Sequence, residues 1–127
     1  MKMIIRILTA VLGVVALLAV AALWIKPDAS AQGFGLTLNG AVGHAVVRAD
    51  LAGLFLVLGI LSLLAAAYQN RDYARAALVL TAAVLVGRVI NLIASGMAPS
   101  LLPPVGLELV MIAVYAGGVQ AWPAKRA

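Results

Sequence analysis

The chain has 127 residues and a mass of 13.0 kDa; 65% of the residues are hydrophobic and only 10% are charged. Soluble domains average roughly 45–50% apolar and about 25% charged residues. A soluble domain this small cannot bury so much apolar surface. The composition therefore excludes an ordinary cytosolic enzyme, a disordered tail and a disulfide-rich scaffold, and it predicts one integral membrane domain over residues 1–127.

The net charge of +5 and the pI of about 10.3 raise nucleic acid as a partner. Most basic residues, however, lie at the ends of apolar runs, where membrane proteins use them to fix orientation. We therefore expect no nucleic-acid partner. The chain has no cysteine and one histidine, His44, so disulfides, thiolate chemistry and a multi-histidine zinc site are excluded, and we expect no cofactor and no metal.

Four apolar segments follow one another along the chain, at about residues 4–25, 46–68, 76–97 and 105–122. Each is close to the roughly 20 residues that a helix needs to cross a bilayer. The segments are continuous rather than alternating, which favours helices over β-strands. Short connections make consecutive helices antiparallel neighbours. The prediction is an all-α, up-down four-helix bundle, in which Gly53, Gly59, Gly117 and Gly118 permit close helix contact.

The three connecting segments differ in character. Residues 26–43 are rich in glycine and predict a loop that covers one end of the bundle. Residues 69–75 (QNRDYAR) predict a short polar loop, and residues 98–104 predict a tight, proline-rich turn.

The N-terminal segment resembles a secretory signal, because Lys2 and Arg6 precede an apolar run that is followed by Ala29-Ser30-Ala31. The run of about 19 residues is longer than the usual 7–15 of a signal. We therefore expect the first helix to be retained. Cleavage would leave three helices in the same orientation.

The distribution of lysine and arginine predicts the orientation. With four crossings, one side of the membrane carries Lys2, Arg6, Arg71, Arg75, Lys125 and Arg126, and the other carries Lys26 and Arg48. The more basic side is expected to be cytoplasmic, which places both termini in the cytoplasm. The aromatic residues expected at the two interfaces are Trp24, Tyr68, Tyr73 and Trp122.

Polar residues concentrate in the half of the bundle away from the termini. Arg88 lies roughly 20 Å into the third helix at 1.5 Å per residue, and Asn91 and Ser95 share its face. Glu108 lies about one turn into the fourth helix, so we expect it to reach Arg88 or Asn91.

Arg48 and Asp50 lie in the first turns of the second helix, on the same side of the membrane. They are about 200° apart around an α-helix, so both cannot point into the core. The candidate ligand-binding residues are Arg48, Asp50, Arg88, Asn91 and Glu108.

Three interpretations of this cluster stay open. A buried Arg–Glu pair can fix helix register, because breaking it leaves an uncompensated charge. It can instead form a pocket for a polar or anionic ligand, since a carboxylate beside an arginine stays ionised and suits binding. A catalytic role would depend on Glu108, Asp50 and Tyr115.

Three stretches together resemble an uncharacterised family of small bacterial four-helix inner-membrane proteins. They are Arg48-Ala49-Asp50-Leu51-Ala52-Gly53, then Gly87-Arg88 with Ser95-Gly96-Met97-Ala98-Pro99, then Glu108. The resemblance covers about the last 80 residues, and Ala52-Gly53 stands where a Gly-Gly is expected. It implies the four-helix layout, a bacterial inner-membrane location and the grouping of Arg48, Arg88 and Glu108, and it implies no activity. A similarity to DoxX-like membrane proteins rests on helix count alone.

The sequence therefore predicts a structural, accessory or ligand-binding membrane protein. The alternatives are an oligomeric transporter of small molecules or lipids, and a membrane-embedded enzyme. The expected partners are the lipid bilayer, a polar or anionic small molecule or lipid headgroup, and a second protein or copy of the chain.

Overall fold

The computed structural model describes residues 1–124, and Lys125 and Arg126 of the orientation argument lie outside them. All regular structure in this part of the chain is helical. Four stretches are long and apolar enough to cross a membrane: Lys2–Ile25, Gly40–Tyr68, Arg71–Ser95 and Pro99–Ala121. The predictions of an all-helical chain and of four such helices are confirmed.

The elements in chain order subdivide these stretches. They are α1 (Lys2–Ile25), α2 (Pro27–Gly33), α3 (Gly40–Val46), a π-helical turn (Val47–Leu51), α4 (Ala52–Tyr68), α5 (Arg71–Ser95), a 3₁₀ turn (Pro99–Leu101) and α6 (Leu102–Ala121). Helix α4 continues from α3 through the π turn, and α6 continues from the 3₁₀ turn.

Two predicted loops are largely helical. The segment QNRDYAR opens α5, because the Asn70 side chain caps the helix by accepting a hydrogen bond of 2.7 Å from the Asp72 amide. The break between α4 and α5 is confined to Gln69 and Asn70. Gln69 ends α4 with a φ of 47°. Residues 26–43 contain α2, which begins with Pro27 at its first position, as proline prefers.

Each long helix packs against two others in a closed ring. Helix α1 contacts α4, α4 contacts α5, α5 contacts α6, and α6 contacts α1. We call the end with Met1, Gln69 and Trp122 the termini end, and the end with α2, α3 and the 3₁₀ turn the cap end.

In the part of the chain that the structure describes, three small clusters form the core, one at each level of the bundle. The termini end buries Ala65, Ala74 and Trp122; the middle buries Leu58, Ala77, Met111 and Tyr115; and the cap end buries Val20, Leu23, Ala31, Val47 and Ala52. Trp122 is only 1% exposed, so its predicted place at an interface is wrong. It packs against Ala74 and Gly118 instead.

Helices α1 and α4 meet at two glycines. A Cβ on Gly59 would lie 2.8 Å from Leu17 Cδ2 and 3.1 Å from the Gly13 carbonyl oxygen. Gly118 is equally restricted, because a Cβ there would lie 2.9 Å from the Trp122 ring. Gly53 faces open space, so its predicted packing role is wrong.

Two arginines at the termini end bind the C-terminal carbonyls of neighbouring helices. Arg6 Nε on α1 donates to the Ala66 carbonyl of α4 at 2.8 Å. Arg71 Nε on α5 donates to the Val119 carbonyl of α6 at 2.8 Å and to the Trp122 carbonyl at 3.2 Å. Cations at helix C-termini are favourable because the last carbonyls carry partial negative charge. These arginines therefore join helices as well as supplying surface charge.

Helix α5 is the least buried of the four long helices. Its fully buried residues, Ala74, Ala77 and Thr81, all lie in the half near the termini end. From residue 82 to residue 95 no residue is fully buried. The candidate site lies in this half.

Candidate functional site

Arg88 and Glu108 form an ion pair between α5 and α6. Arg88 Nε donates to Glu108 Oε1 at 2.6 Å, and the side chains are 31% and 9% exposed, respectively. The distance is typical of the shortest charge-assisted hydrogen bonds. The structure thus brings together the two charges that the helix spacing places at one level.

The turn between the helices sets this alignment. Gly96, with a φ of 81°, ends α5, and Pro99 begins the 3₁₀ turn that leads into α6. Arg88 lies seven residues before the end of α5, and Glu108 lies six residues after the start of α6. At 1.5 Å per residue, both lie about 10 Å from the turn.

The pair leaves hydrogen-bonding capacity unused on both sides. Glu108 Oε2 is buried and has no hydrogen-bond partner within residues 1–124. In the same part of the chain, the hydrogen bonds of Arg88 involve only its Nε, so Nη1 and Nη2 donate none. A guanidinium carries five N–H donors, and four of them remain available to a ligand.

A recess of about 310 Å³ lies beside the guanidinium. Its lining residues are Val84, Gly87, Arg88, Asn91, Leu92, Leu101 and Val105. Arg88 and Asn91 are the polar side chains in this set, and Gly87 has open space where a Cβ would stand. The volume is at the small end of ligand sites. Glu108 holds the guanidinium but does not line the recess.

Arg48 and Asp50 do not join this site, so their predicted grouping with Arg88 is wrong. Arg48 Nε donates to the Trp24 carbonyl at 3.4 Å, and Trp24 Nε1 donates to the Arg48 carbonyl at 3.0 Å. Asp50 is exposed and makes no hydrogen bond or ion pair with the described residues. Both lie in the π turn, where Val47 is the residue that faces the core. Arg48 therefore joins the π turn to the last turn of α1.

Sequence reasoning missed a contact that closes the cap end. His44 Nε2 lies 3.1 Å from the Asp28 carboxylate, and His44 Nδ1 lies 2.7 Å from the Gly40 carbonyl oxygen. Both ring nitrogens face acceptors, so the protonated imidazole satisfies both contacts. Phe34 contacts the Phe55 ring at 5.6 Å, and Leu38 packs against the same core. The segment 26–43 therefore covers α1 and α4, as predicted.

The residues of the enzyme alternative are separated. Tyr115 is 1% exposed, and its hydroxyl lies 2.6 Å from Ser62 Oγ in the middle of the bundle. Because Ser62 donates to the Leu58 carbonyl at 2.8 Å, the tyrosine hydroxyl is the donor to Ser62. Asp50 lies in the π turn at the cap end. Glu108, Asp50 and Tyr115 therefore do not share a site, and no group of three acidic or histidine side chains that could hold a metal occurs within residues 1–124.

No protein-family model, curated protein or solved structure matches the chain. The predicted likeness to small four-helix inner-membrane proteins stays a prediction.

Proposed function

We propose that the protein is a multi-pass membrane protein that binds an anionic group, a phosphate or phosphate ester, in the recess beside Arg88. One observation carries this proposal: Glu108 engages Arg88 through Nε alone, which leaves both Nη groups available where Asn91 and the recess meet. The guanidinium is thereby held in position for an anion.

Membrane insertion is supported by the surface of the bundle. Large apolar side chains are exposed along all four long helices, for example Val14, Ile60, Val86 and Val110. Lys2, Arg6, Arg71 and Arg75 lie at the termini end, whereas Lys26 and Arg48 lie at the cap end. By the positive-inside rule, this distribution supports a cytoplasmic termini end, and the membrane we propose is a bacterial inner membrane. Because the chain has no cysteine, single cysteines can be introduced at residues 2, 37, 69 and 99 and labelled with an impermeant maleimide. Labelling of residues 2 and 69 from outside intact cells would contradict this orientation.

The choice of an anion follows from the chemistry of the side chains. A guanidinium presents paired N–H donors that match the oxygens of phosphate, and its charge persists when it is desolvated. Asn91 adds an amide one helical turn away on the same face. Glu108 neutralises the charge of Arg88, so the empty site does not bury an isolated cation. Apolar walls on the remaining sides favour a small headgroup or a free anion over a large polar ligand.

The test measures the melting temperature of the full chain in uncharged dodecyl maltoside. Inorganic phosphate is added in one arm and dioleoyl phosphatidic acid in the other, with sodium chloride at matched ionic strength as control. Stabilisation by both identifies the phosphate group as the ligand, and stabilisation by the lipid alone identifies a headgroup. Stabilisation by neither contradicts the proposal.

Two variants separate binding from a role in helix packing alone. Asn91→Leu leaves the Arg88–Glu108 pair intact, and we expect it to weaken binding about ten-fold or more, as the loss of a hydrogen bond to a charged group does. Arg88→Lys keeps the charge but loses the paired donors. Arg48→Gln, at the same end of the bundle, is the matched control and leaves binding unchanged. Unchanged binding in both site variants would show that the pair only locks α5 to α6.

A further inference from the structure

A second groove lies between α4 and α5, near the termini end and away from Arg88. It has a volume of about 580 Å³, and its lining residues are Val57, Leu61, Asp72, Arg75, Ala76, Val79, Leu80 and Ala83. The apolar part runs from Ala76 to Ala83, about 11 Å along the helix at 1.5 Å per residue. The groove is therefore long and apolar, and it ends at two opposite charges.

Those two charges remain available to a ligand. Asp72 and Arg75 are three residues apart on one face of α5, and both are exposed. No salt bridge within residues 1–124 includes either of them. Arg71, one turn before Arg75, is already bound to the carbonyls of α6, so Arg75 is the cation that faces the groove.

Neighbouring aromatic residues place these charges at the level of lipid headgroups. Tyr68 and Tyr73 lie at the same end of α4 and α5, with ring centroids 6.5 Å apart, and Tyr68 is 63% exposed. Tyrosine is enriched at the membrane–water interface. An apolar groove that begins at this level has the orientation of a lipid acyl chain.

We infer that the groove binds a phospholipid whose headgroup carries a phosphate and a primary ammonium. The acyl chain lies along α4 and α5, Arg75 binds the phosphate, and Asp72 accepts hydrogen bonds from the ammonium. The site has no net charge, so it matches a zwitterionic headgroup better than an anionic one. This inference depends on the proposed membrane insertion but not on the Arg88 site.

Native mass spectrometry of the full chain in uncharged detergent tests the inference. Three lipids with identical acyl chains are titrated: phosphatidylethanolamine, phosphatidylcholine and phosphatidylglycerol. Phosphatidylcholine lacks the N–H donors, and phosphatidylglycerol lacks the ammonium. We expect phosphatidylethanolamine to bind at least five-fold more tightly than either. Equal binding of all three, or tighter binding of phosphatidylglycerol as expected for a merely basic surface, would overturn the inference.

Variants assign the preference to individual residues. Asp72→Asn is expected to abolish the preference for phosphatidylethanolamine over phosphatidylcholine. Arg75→Gln is expected to weaken the binding of all three lipids. The matched control replaces the acid and the arginine at the cap end, Asp50→Asn with Arg48→Gln, and keeps the preference. If Asp72→Asn fails to fold, Val79→Phe fills the groove and leaves both charges in place; lipid affinity that survives this change would also overturn the inference. Maleimide labelling tests membrane insertion separately, so the two failures are distinguishable.

Discussion

Replacing Arg88 with leucine isolates the energetic role of the ion pair, because it leaves a 91% buried Glu108 side chain without its cation. Removing one partner of a buried pair destabilises a protein by about 3–5 kcal/mol. A loss in this range is expected for Arg88→Leu, because the Glu108 carboxylate is left buried without a counter-charge.

The same loss can be reversed by removing the second charge. Glu108→Gln in the Arg88→Leu background removes the uncompensated charge and restores most of the lost stability.

The assay is reversible unfolding in mixed micelles with increasing dodecyl sulfate, followed by far-ultraviolet circular dichroism. Wild type, the two single variants and the double variant form one thermodynamic cycle. We expect a coupling free energy of at least about 1.5 kcal/mol at pH 7, near the top of the range for polar contacts between membrane helices. Additive losses in the two single variants, with no recovery in the double variant, would refute this coupling.

Three further predictions concern the helix contacts. Gly59→Ala should destabilise the bundle by about 1–3 kcal/mol, because the added Cβ would overlap Leu17. Gly53→Ala on the same helix is the control and should be neutral or stabilising; equal unfolding midpoints of the two variants would contradict the prediction. Arg71→Gln should lower stability by about 1 kcal/mol and increase amide exchange in the last turn of α6, and unchanged exchange there would show that the cap is dispensable. Asp28→Asn should raise amide exchange in α2 and α3, more at pH 5 than at pH 8, because the contact is an ion pair only with a protonated histidine; a pH-independent effect would show that charge plays no part.

The main outline of the fold was predictable, because hydropathy and helix length depend on local sequence alone. Runs of about 20 apolar residues predict four helices, and this prediction does not depend on how the helices pack against one another. The Arg88–Glu108 contact was predictable for a similar reason: a short turn joins the two helices, and equal distances from the turn place the charges side by side.

The misjudged features depend on contacts between residues distant in sequence. The π turn directs Arg48 to Trp24. A π turn holds one residue more than an α-helical turn, and the hydropathy of the sequence does not show where such a turn occurs. Trp122 is buried because Gly118 makes room for its ring, which only the packing of α5 and α6 reveals. The Asn70 cap, in contrast, had a recognisable signal, since an asparagine two residues before an aspartate is a common helix start.

The π turn at residues 47–51 determines how α3 is rotated about the helix axis relative to α4. Successive residues of an α-helix are rotated by about 100° around the axis. Forcing this turn into a regular α-helix without removing a residue would merge α3 and α4, and it would rotate His44 by about that angle away from Asp28. The wider turn thus absorbs one additional residue, and the lid of the bundle stays aligned with the helices beneath it.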